Sequence, residues 1–398
     1  MPRPVVRRPR GTEDVLPDAA PRWRRLEGLA RALAERHGFG EVRTPTFEHR
    51  ELVRWSGERP GAAPTYDFLD RGGRALSLRA GSSAPLARAC LQGGLLGGAF
   101  PVKVFGLMSA CRYERPGAGR LREEQRFACE SFGAPGPAAD AELIVLLAEV
   151  LTGAGLDRAT VEVGSVGCPD CPSAGASGPE ARAGAGWAPP RPDGMADPGA
   201  QGGAEAARVG LCAACAEHLA AVRALLAAAG LPHAVHEGRV GGGQRTGRVV
   251  FRALHPDGAA PLVLGVGGRH DGVVAALGGA AVPATGFHLG LERVLLAQDR
   301  AGVEAPAPPP PDVVVAGEEA AAVLVLCTEA RRAGLRADFD PSGRGLAAQL
   351  RRAQRLGARQ VVVVRGAGQP VSWRDGVTGQ RRDWPLEGVV AALRAGRA

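Results

Sequence analysis

Residues 111–133 read CRYERPGAGRLREEQRFACESFG and concentrate arginines and carboxylates between two strand-like stretches. The run 102–107 just upstream is largely apolar, so Arg112 and Glu114 are expected at the end of a buried strand, two residues apart on one face. A Pro/Gly/Arg turn with Gly117 and Arg120 follows, then Arg122 and a return strand on which Arg126 and Glu130 share a face. Guanidinium groups in fixed positions suit an anionic ligand gripped by paired hydrogen bonds, while a nearby carboxylate orients an ammonium. Sulfur supplies a second constellation: Cys168 and Cys171 in CPDC, and Cys212 and Cys215 in CAAC. Two such pairs have the spacing of a four-thiolate zinc site with a structural role; the alternatives are reduced thiols without metal, or the remnant of a lost site. Cys90, Cys111, Cys129 and Cys327 stand in apolar contexts and read as core residues.

The elements that must hold these groups follow from periodicity. Leu26, Leu29 and Leu33 space a helix over 22–35 that Gly38 ends, and Leu143, Leu146, Leu147 and Val150 supply the buried side of another over 138–154. Between Gly38 and Gly133 strand-like runs alternate with turns, and 216–230 is again helical. Between 172 and 208 the sequence collapses to Gly, Ala, Pro and Ser, which predicts a flexible insertion, because so little apolar surface cannot offset the entropy of ordering. The run APAPPPP at 305–311 is a stiff spacer and sets the expected division into a core of 1–310, interrupted by a cysteine-flanked insertion at about 165–235, and a second domain of 312–398. Beyond it strands at 312–315, 336–339 and 360–364 alternate with helices at 318–333 and 346–356, a small α/β domain with parallel pairing.

Charge and length narrow the class. The 398 residues carry a net charge of +8, almost wholly from arginine, since Lys103 is the only lysine. Residues 312–398 hold fourteen arginines against nine acidic residues, a net +5, and Arg344, Arg351, Arg355 and Arg359 recur near helical spacing as a basic stripe. No apolar run approaches a membrane span, and the N-terminal segment lacks the apolar centre of a secretion signal; a cytoplasmic location without membrane contact is expected.

Several segments, in order, resemble the histidyl-tRNA synthetase family of class II aminoacyl-tRNA synthetases. RGTEDVLP at 10–17 is similar to its opening signature, HGFGEVRTPTFE at 37–48 to its first motif, and 111–133 to its second. GGRHDGVVAALGG at 267–279 is similar to its glycine-rich segment and GFHLGLERVLL at 286–296 to its third motif. The resemblance implies an α+β catalytic core, an antiparallel sheet flanked by helices, with a C-terminal α/β anticodon-binding-like domain and a homodimer. It implies ATP with Mg2+ as cofactor and tRNA, not DNA, as partner. In that family ATP activates the histidine carboxylate and the acyl group passes to tRNA. Arg112 and Arg293 would then serve the phosphates during catalysis, with Glu114 on the adenine side and Arg120 at the outer phosphates. Ser83, Arg126 and Glu130 would line the amino-acid pocket.

The pocket segments depart from that pattern. LRAGSSAP at 78–85 stands where the family has LRPEGTAP, so Gly81 replaces a carboxylate that receives the substrate ammonium. Glu124 replaces an aromatic, Arg126 replaces a glutamine, and His288 adds bulk. GGGQRTGRVVFR at 241–252 stands where the family has RGLDYYTGTVFE, with Arg239 or Arg245 as the nearest substitutes for its arginine. Three functions are consistent with this: a histidine–tRNA ligase, a non-catalytic paralogue like the regulatory subunit of ATP phosphoribosyltransferase, or a ligase-like enzyme for a different carboxylic acid. In all three the nucleotide clamps are expected to be retained and the histidine-recognition residues largely lost.

Overall fold

A computed structural model describes residues 5–57, 65–117, 119–168, 171, 211–239, 247–257, 261–304, 307–366 and 369–395. The 172–208 insertion, Arg245 with the rest of 240–246, and the start of the APAPPPP run lie outside the described residues, as does the side chain of Arg239. The chain forms two compact units, Met1–Pro306 and Ala307–Ala398.

The first unit contains β1 (Gly40–Glu41), β2 (Phe47–His49), β3 (Asp67–Leu69), β4 (Ala75–Leu78), β5 (Val102–Cys111), β6 (Glu123–Phe132), β7 (Thr160–Gly167), β8 (His233–Arg239), β9 (Gly247–His255), β10 (Leu262–Arg269) and β11 (Ala284–Gly290). Eight of them make one sheet in the order β1-β5-β6-β11-β10-β9-β7-β8, and β2-β4-β3 make a small one. The large sheet is antiparallel except at its margins, where β1 pairs with β5 and β7 with β8 in parallel. Phe105, Phe127, Phe251 and Phe287 occupy one face with Leu26, Leu143, Leu147, Val222, Leu226 and Val294 from the Ala20–Arg36, Pro137–Gly153, Ala213–Ala228 and Leu291–Ala301 helices. Their rings meet edge-on or tilted, with Phe127 centred 6.1 Å from Phe105 and 5.8 Å from Phe287. Alternation sends Val104, Met108, Ala128 and Phe132 to the opposite face, under Leu86, Cys90, Val273 and Val274. On β6 the same alternation places Glu124, Arg126 and Glu130 beside Ala128, so this second face passes from apolar to charged along one strand.

Residues 40–133 hold more helix than the strand-and-turn reading expects: Arg50–Gly57 and Ser83–Gln92 are helical. The second forms because Leu86, Ala87 and Cys90 recur on one buried side of an alanine-rich run, a period that serine and proline at its start obscure.

The second unit contains β12 (Val313–Gly317), β13 (Ala337–Phe339), β14 (Gln360–Val364), β15 (Val371–Asp375) and β16 (Arg381–Trp384) in the order β13-β12-β14-β15-β16, with helices Ala320–Arg332, Leu346–Arg355 and Val389–Ala395. The first three strands pair in parallel, as expected, and β14-β15-β16 pair antiparallel, which is a correction. Those last strands are short and charged, and they are held by Val371, buried in the core, and by Trp373 stacked on Trp384 at 4.8 Å. The basic stripe also needs correction. Arg344 and Arg359 lie outside the Leu346–Arg355 helix and are drawn to Asp340 and Asp312, leaving Arg351 and Arg355 on the helix itself.

Candidate active site

The ladder between β5 and β6 ends at Cys111–Glu123, so Arg112 and Glu114 lie just past the strand instead of on it. Pro116 and the glycines around it break the strand, and the Glu114 N–H turns back to the Arg112 carbonyl at 2.9 Å. Arg112 is fixed by donating from Nε to the Ala80 carbonyl at 2.8 Å. That carbonyl is itself held in place by Arg79, a buried residue with no role in the sequence reading, which donates to the Ser109 carbonyl at 2.8 Å and to the Thr44 and Pro45 carbonyls at 2.9 and 2.6 Å. Ser83 opens the adjoining helix, and a side chain at Gly81, two residues before it, would start in open space.

Arg293 stands in the first turn of the Leu291–Ala301 helix. It donates from Nε to the Gly119 carbonyl at 2.9 Å and from Nη1 to the Val263 carbonyl at 3.1 Å. Its Nε also lies 3.3 Å from Glu124, which accepts from Arg126 at 2.8 Å. Gly290 makes this possible, since a Cβ there would come 2.4 Å from the Glu124 carboxylate. Arg112, Arg126 and Arg293 therefore surround one carboxylate, and positive charge is in excess. Burial works against the Glu124 anion, but the three arginines outweigh it and hold its pKa below the ordinary range. Arg126 together with burial pushes the Arg112 guanidinium down to about 10, offset in part by Glu114 and Glu124. His288, across from Ala128 and one row from Arg126, is driven well below the usual imidazole range by burial and then by Arg126, Arg112 and Arg293, so it is neutral. Such a cluster can bind an anion with several oxygens and stabilise charge that builds on it.

Glu114 and Arg120 form an ion pair with each other at the rim. Arg122 donates to the Glu114 carbonyl at 3.0 Å and lies over the Tyr113 ring at 4.3 Å. Glu292, beside Arg293, accepts the Gln125 N–H at 2.8 Å, and burial raises its carboxyl to about 7. The structure thus brings Arg112, Arg126 and Arg293 together with Glu124, while Glu114, paired with Arg120, is still close enough to Arg112 to act on it. Glu130 lies four residues along β6 and is bonded to His270 Nε2 at 2.8 Å. His270 is missed by sequence reasoning, although a histidine between Arg269 and Asp271 in a glycine-rich segment is a visible signal.

The residue before it explains the placement of His270. Arg269 is fully buried and donates to Asp140 at 2.8 Å and to the Ala134 and Gly136 carbonyls at 3.0 and 3.1 Å, while His218 shares Asp140 at 2.7 Å. Burial opposes the Asp140 anion, but His218 and Arg269 hold its pKa below the ordinary value.

Cys168, Cys171, Cys212 and Cys215 converge with their sulfurs all within 4.8 Å of one another. Cys168 Sγ is 3.9 Å from Cys171 Sγ and 3.6 Å from Cys212 Sγ. A tetrahedral metal with thiolate bonds of about 2.3 Å has ligand edges of about 3.8 Å, so the arrangement fits a zinc-sized ion. Burial raises the Cys171 thiol, but the backbone N–H groups of Cys212 and Cys168 outweigh it and bring it to about 7, favouring a thiolate.

An antiparallel sheet with an arginine cluster at one end of its second face is the architecture of a class II aminoacyl-tRNA synthetase. The chain matches apo histidyl-tRNA synthetase of S. aureus with a TM-score of 0.77 at 23% identity, covering 98% of this chain and 100% of that one. A Bacillus halodurans protein described as an ATP phosphoribosyltransferase regulatory subunit/histidyl-tRNA synthetase matches at a TM-score of 0.69 and 18% identity, over 92% of this chain and 100% of that one. The profile of the histidyl-tRNA synthetase family matches residues 11–170. The histidine–tRNA ligase of Moorella thermoacetica is 38% identical over an alignment of 424 positions, gaps included, that covers 98% of each chain. That of Desulforudis audaxviator is 38% identical over 386, covering 90% of this chain and 91% of the relative. The chain belongs to the histidyl-tRNA synthetase family.

Proposed function

We propose that this protein binds ATP with Mg2+ at the arginine cluster, Arg112 and Arg293 taking the phosphates, and that its amino-acid pocket disfavours histidine. The observation that carries this reading is the excess of guanidinium charge. Arg112, Arg126 and Arg293 are set against Glu124, with Glu114, already paired to Arg120, acting on Arg112 as well, and neutral His288 adds no anion. A triphosphate and a carboxylate gain from that field, whereas an ammonium is repelled. Gly81 supplies no carboxylate to offset the repulsion. A lost ammonium partner costs on the order of 2–5 kcal/mol. Glu114 and Arg120 would have to part for Glu114 to meet the adenine and Arg120 the outer phosphates. Ser83 and Arg126 would face the bound acid, with Glu130 behind them.

The same charge excess favours a second reading, adenylation of a carboxylic acid other than histidine. Calorimetric titration with ATP, followed by ATP–pyrophosphate exchange with histidine and with a panel of carboxylic acids, separates the two. ATP binding with exchange on another acid selects the second reading; ATP binding with no exchange selects a binding or regulatory paralogue. Failure to bind ATP overturns the proposal.

The remaining roles follow from the family. The basic Ala307–Ala398 unit would take the anticodon end of tRNA, the chain would work as a cytoplasmic homodimer, and zinc held by Cys168, Cys171, Cys212 and Cys215 would staple the ends of the insertion. Among the described residues no helix is long and apolar enough to cross a membrane.

A further inference from the structure

One row of the large sheet runs through Val104, Glu130, Gly286 and Gly268 on β5, β6, β11 and β10. Cross-strand partners point to the same face, so the Glu130 carboxylate lies beside two positions that carry no side chain. The bareness is required at Gly286, where a Cβ would come 2.2 Å from Glu130 Oε2. Glu130 is fully buried, and its two oxygens have different fates. Oε2 meets His270 Nε2 at 2.8 Å, while Oε1 has no hydrogen-bond partner among the described residues. A buried acceptor left without a donor marks a place where a donor is missing.

The other nitrogen of the same ring fixes its charge. His270 Nδ1 lies 3.1 Å from the Gly268 carbonyl oxygen, which can only accept. An ionised carboxylate also only accepts, so both bonds form together only when both ring nitrogens carry hydrogen and the ring is an imidazolium. Burial disfavours that cation, and Glu130 more than compensates, raising the His270 pKa. Other carboxylates near this face are already committed to arginine, Glu124 to Arg126 and Glu162 to Arg252. His270 therefore uses the anion that remains.

We infer that His270 is the chain's own occupant of a cation-accepting slot on Glu130, and so a specificity-determining residue that closes the slot to an imidazole or ammonium brought by a ligand. The inference rests on the reading that the pocket disfavours histidine and gives it a cause within this chain. Removing the ring vacates a planar space bounded by Glu130, the Gly268 carbonyl and the bare strand at Gly286. A free imidazolium fits that space with the same two hydrogen bonds.

The test is calorimetric titration of imidazole, at neutral pH, into the full-length chain and into its His270→Gly and His270→Gly/Glu130→Gln variants. His270→Gly is expected to bind imidazole at least tenfold more tightly than the unmodified chain, and the added Glu130→Gln to abolish the gain. Equal, weak binding by all three overturns the inference. Should the glycine variant not fold, His270→Ser carries the same arms, read by melting temperature: a rise with imidazole seen only in the variant supports the slot, and no rise refutes it. ATP affinity is measured on the same unmodified sample. Its absence would sink the proposed function while leaving the imidazole comparison intact.

Discussion

Glu124 is the residue on which the electrostatics of the site turn, because it alone is shared by Arg126 and Arg293 and stands close enough to Arg112 to shift it. Truncating a cation that grips a desolvated phosphate costs about 2–4 kcal/mol of binding. Arg293→Ala is therefore expected to weaken ATP by that amount in calorimetric titration, and Arg120→Ala, at the more open rim, by less. Unchanged affinity in Arg293→Ala would remove Arg293 from the nucleotide site. Glu292 gives a pH-dependent prediction. Its folded pKa is raised, mainly by burial, to about 7, so its contribution to stability is fully present below the ordinary carboxyl pKa and is lost as pH rises through 7. Glu292→Gln avoids ionisation while keeping an acceptor for the Gln125 N–H. Its stability relative to the unmodified chain is expected to improve between pH 5 and pH 8, by on the order of 1–3 kcal/mol, in denaturant titrations; a pH-independent difference would contradict this.

Strands and helices set these residues in place through contacts between distant parts of the chain. Arg269 ties β10 to the Pro137–Gly153 helix through Asp140, and His218 ties that helix to Ala213–Ala228, the helix that begins beside Cys212. Arg269→Met leaves the Asp140 charge buried without its guanidinium partner, and a loss of about 3–5 kcal/mol in unfolding free energy is expected; a loss below about 1 kcal/mol would show the network to be dispensable. The sulfur cluster should bring one zinc-class ion per chain through purification, and Cys212→Ser or a strong chelator should release it and lower the melting temperature. Metal-free protein whose melting is unaffected by either treatment would identify the four thiols as unliganded. Legibility in the sequence follows the same divide. The Arg112–Glu130 hairpin and the helix centred on Leu143 and Leu147 are visible because charge on an apolar strand and a 3.6-residue period are local signals. Arg79, Arg269 with Asp140, and His270 with Glu130 are not, because their partners lie 30, 129 and 140 residues away. The β15–β16 hairpin escaped for another reason: its core contribution is Val371 and one tryptophan pair, set among arginines and aspartates.

At the scale of the whole molecule, the proposed function assigns ATP to the first unit and tRNA to the second. The Ala307–Ala398 unit has its own core of Val313, Val315, Leu326, Val362, Val371 and Leu393, so removing it should leave the first unit folded. Deletion of residues 307–398 is expected to change ATP affinity less than twofold and to weaken tRNA at least tenfold, with a shallower salt dependence because fewer phosphates are neutralised. Equal tRNA affinity with and without the unit would place the RNA contact elsewhere. The central claim, that a triphosphate site persists where histidine is disfavoured, is tested most directly by histidine-dependent ATP–pyrophosphate exchange on the full-length chain, with ATP binding verified in the same sample. The account predicts bound ATP with exchange at least a hundredfold slower than that of the Moorella thermoacetica ligase assayed alongside; exchange at the same rate would contradict it.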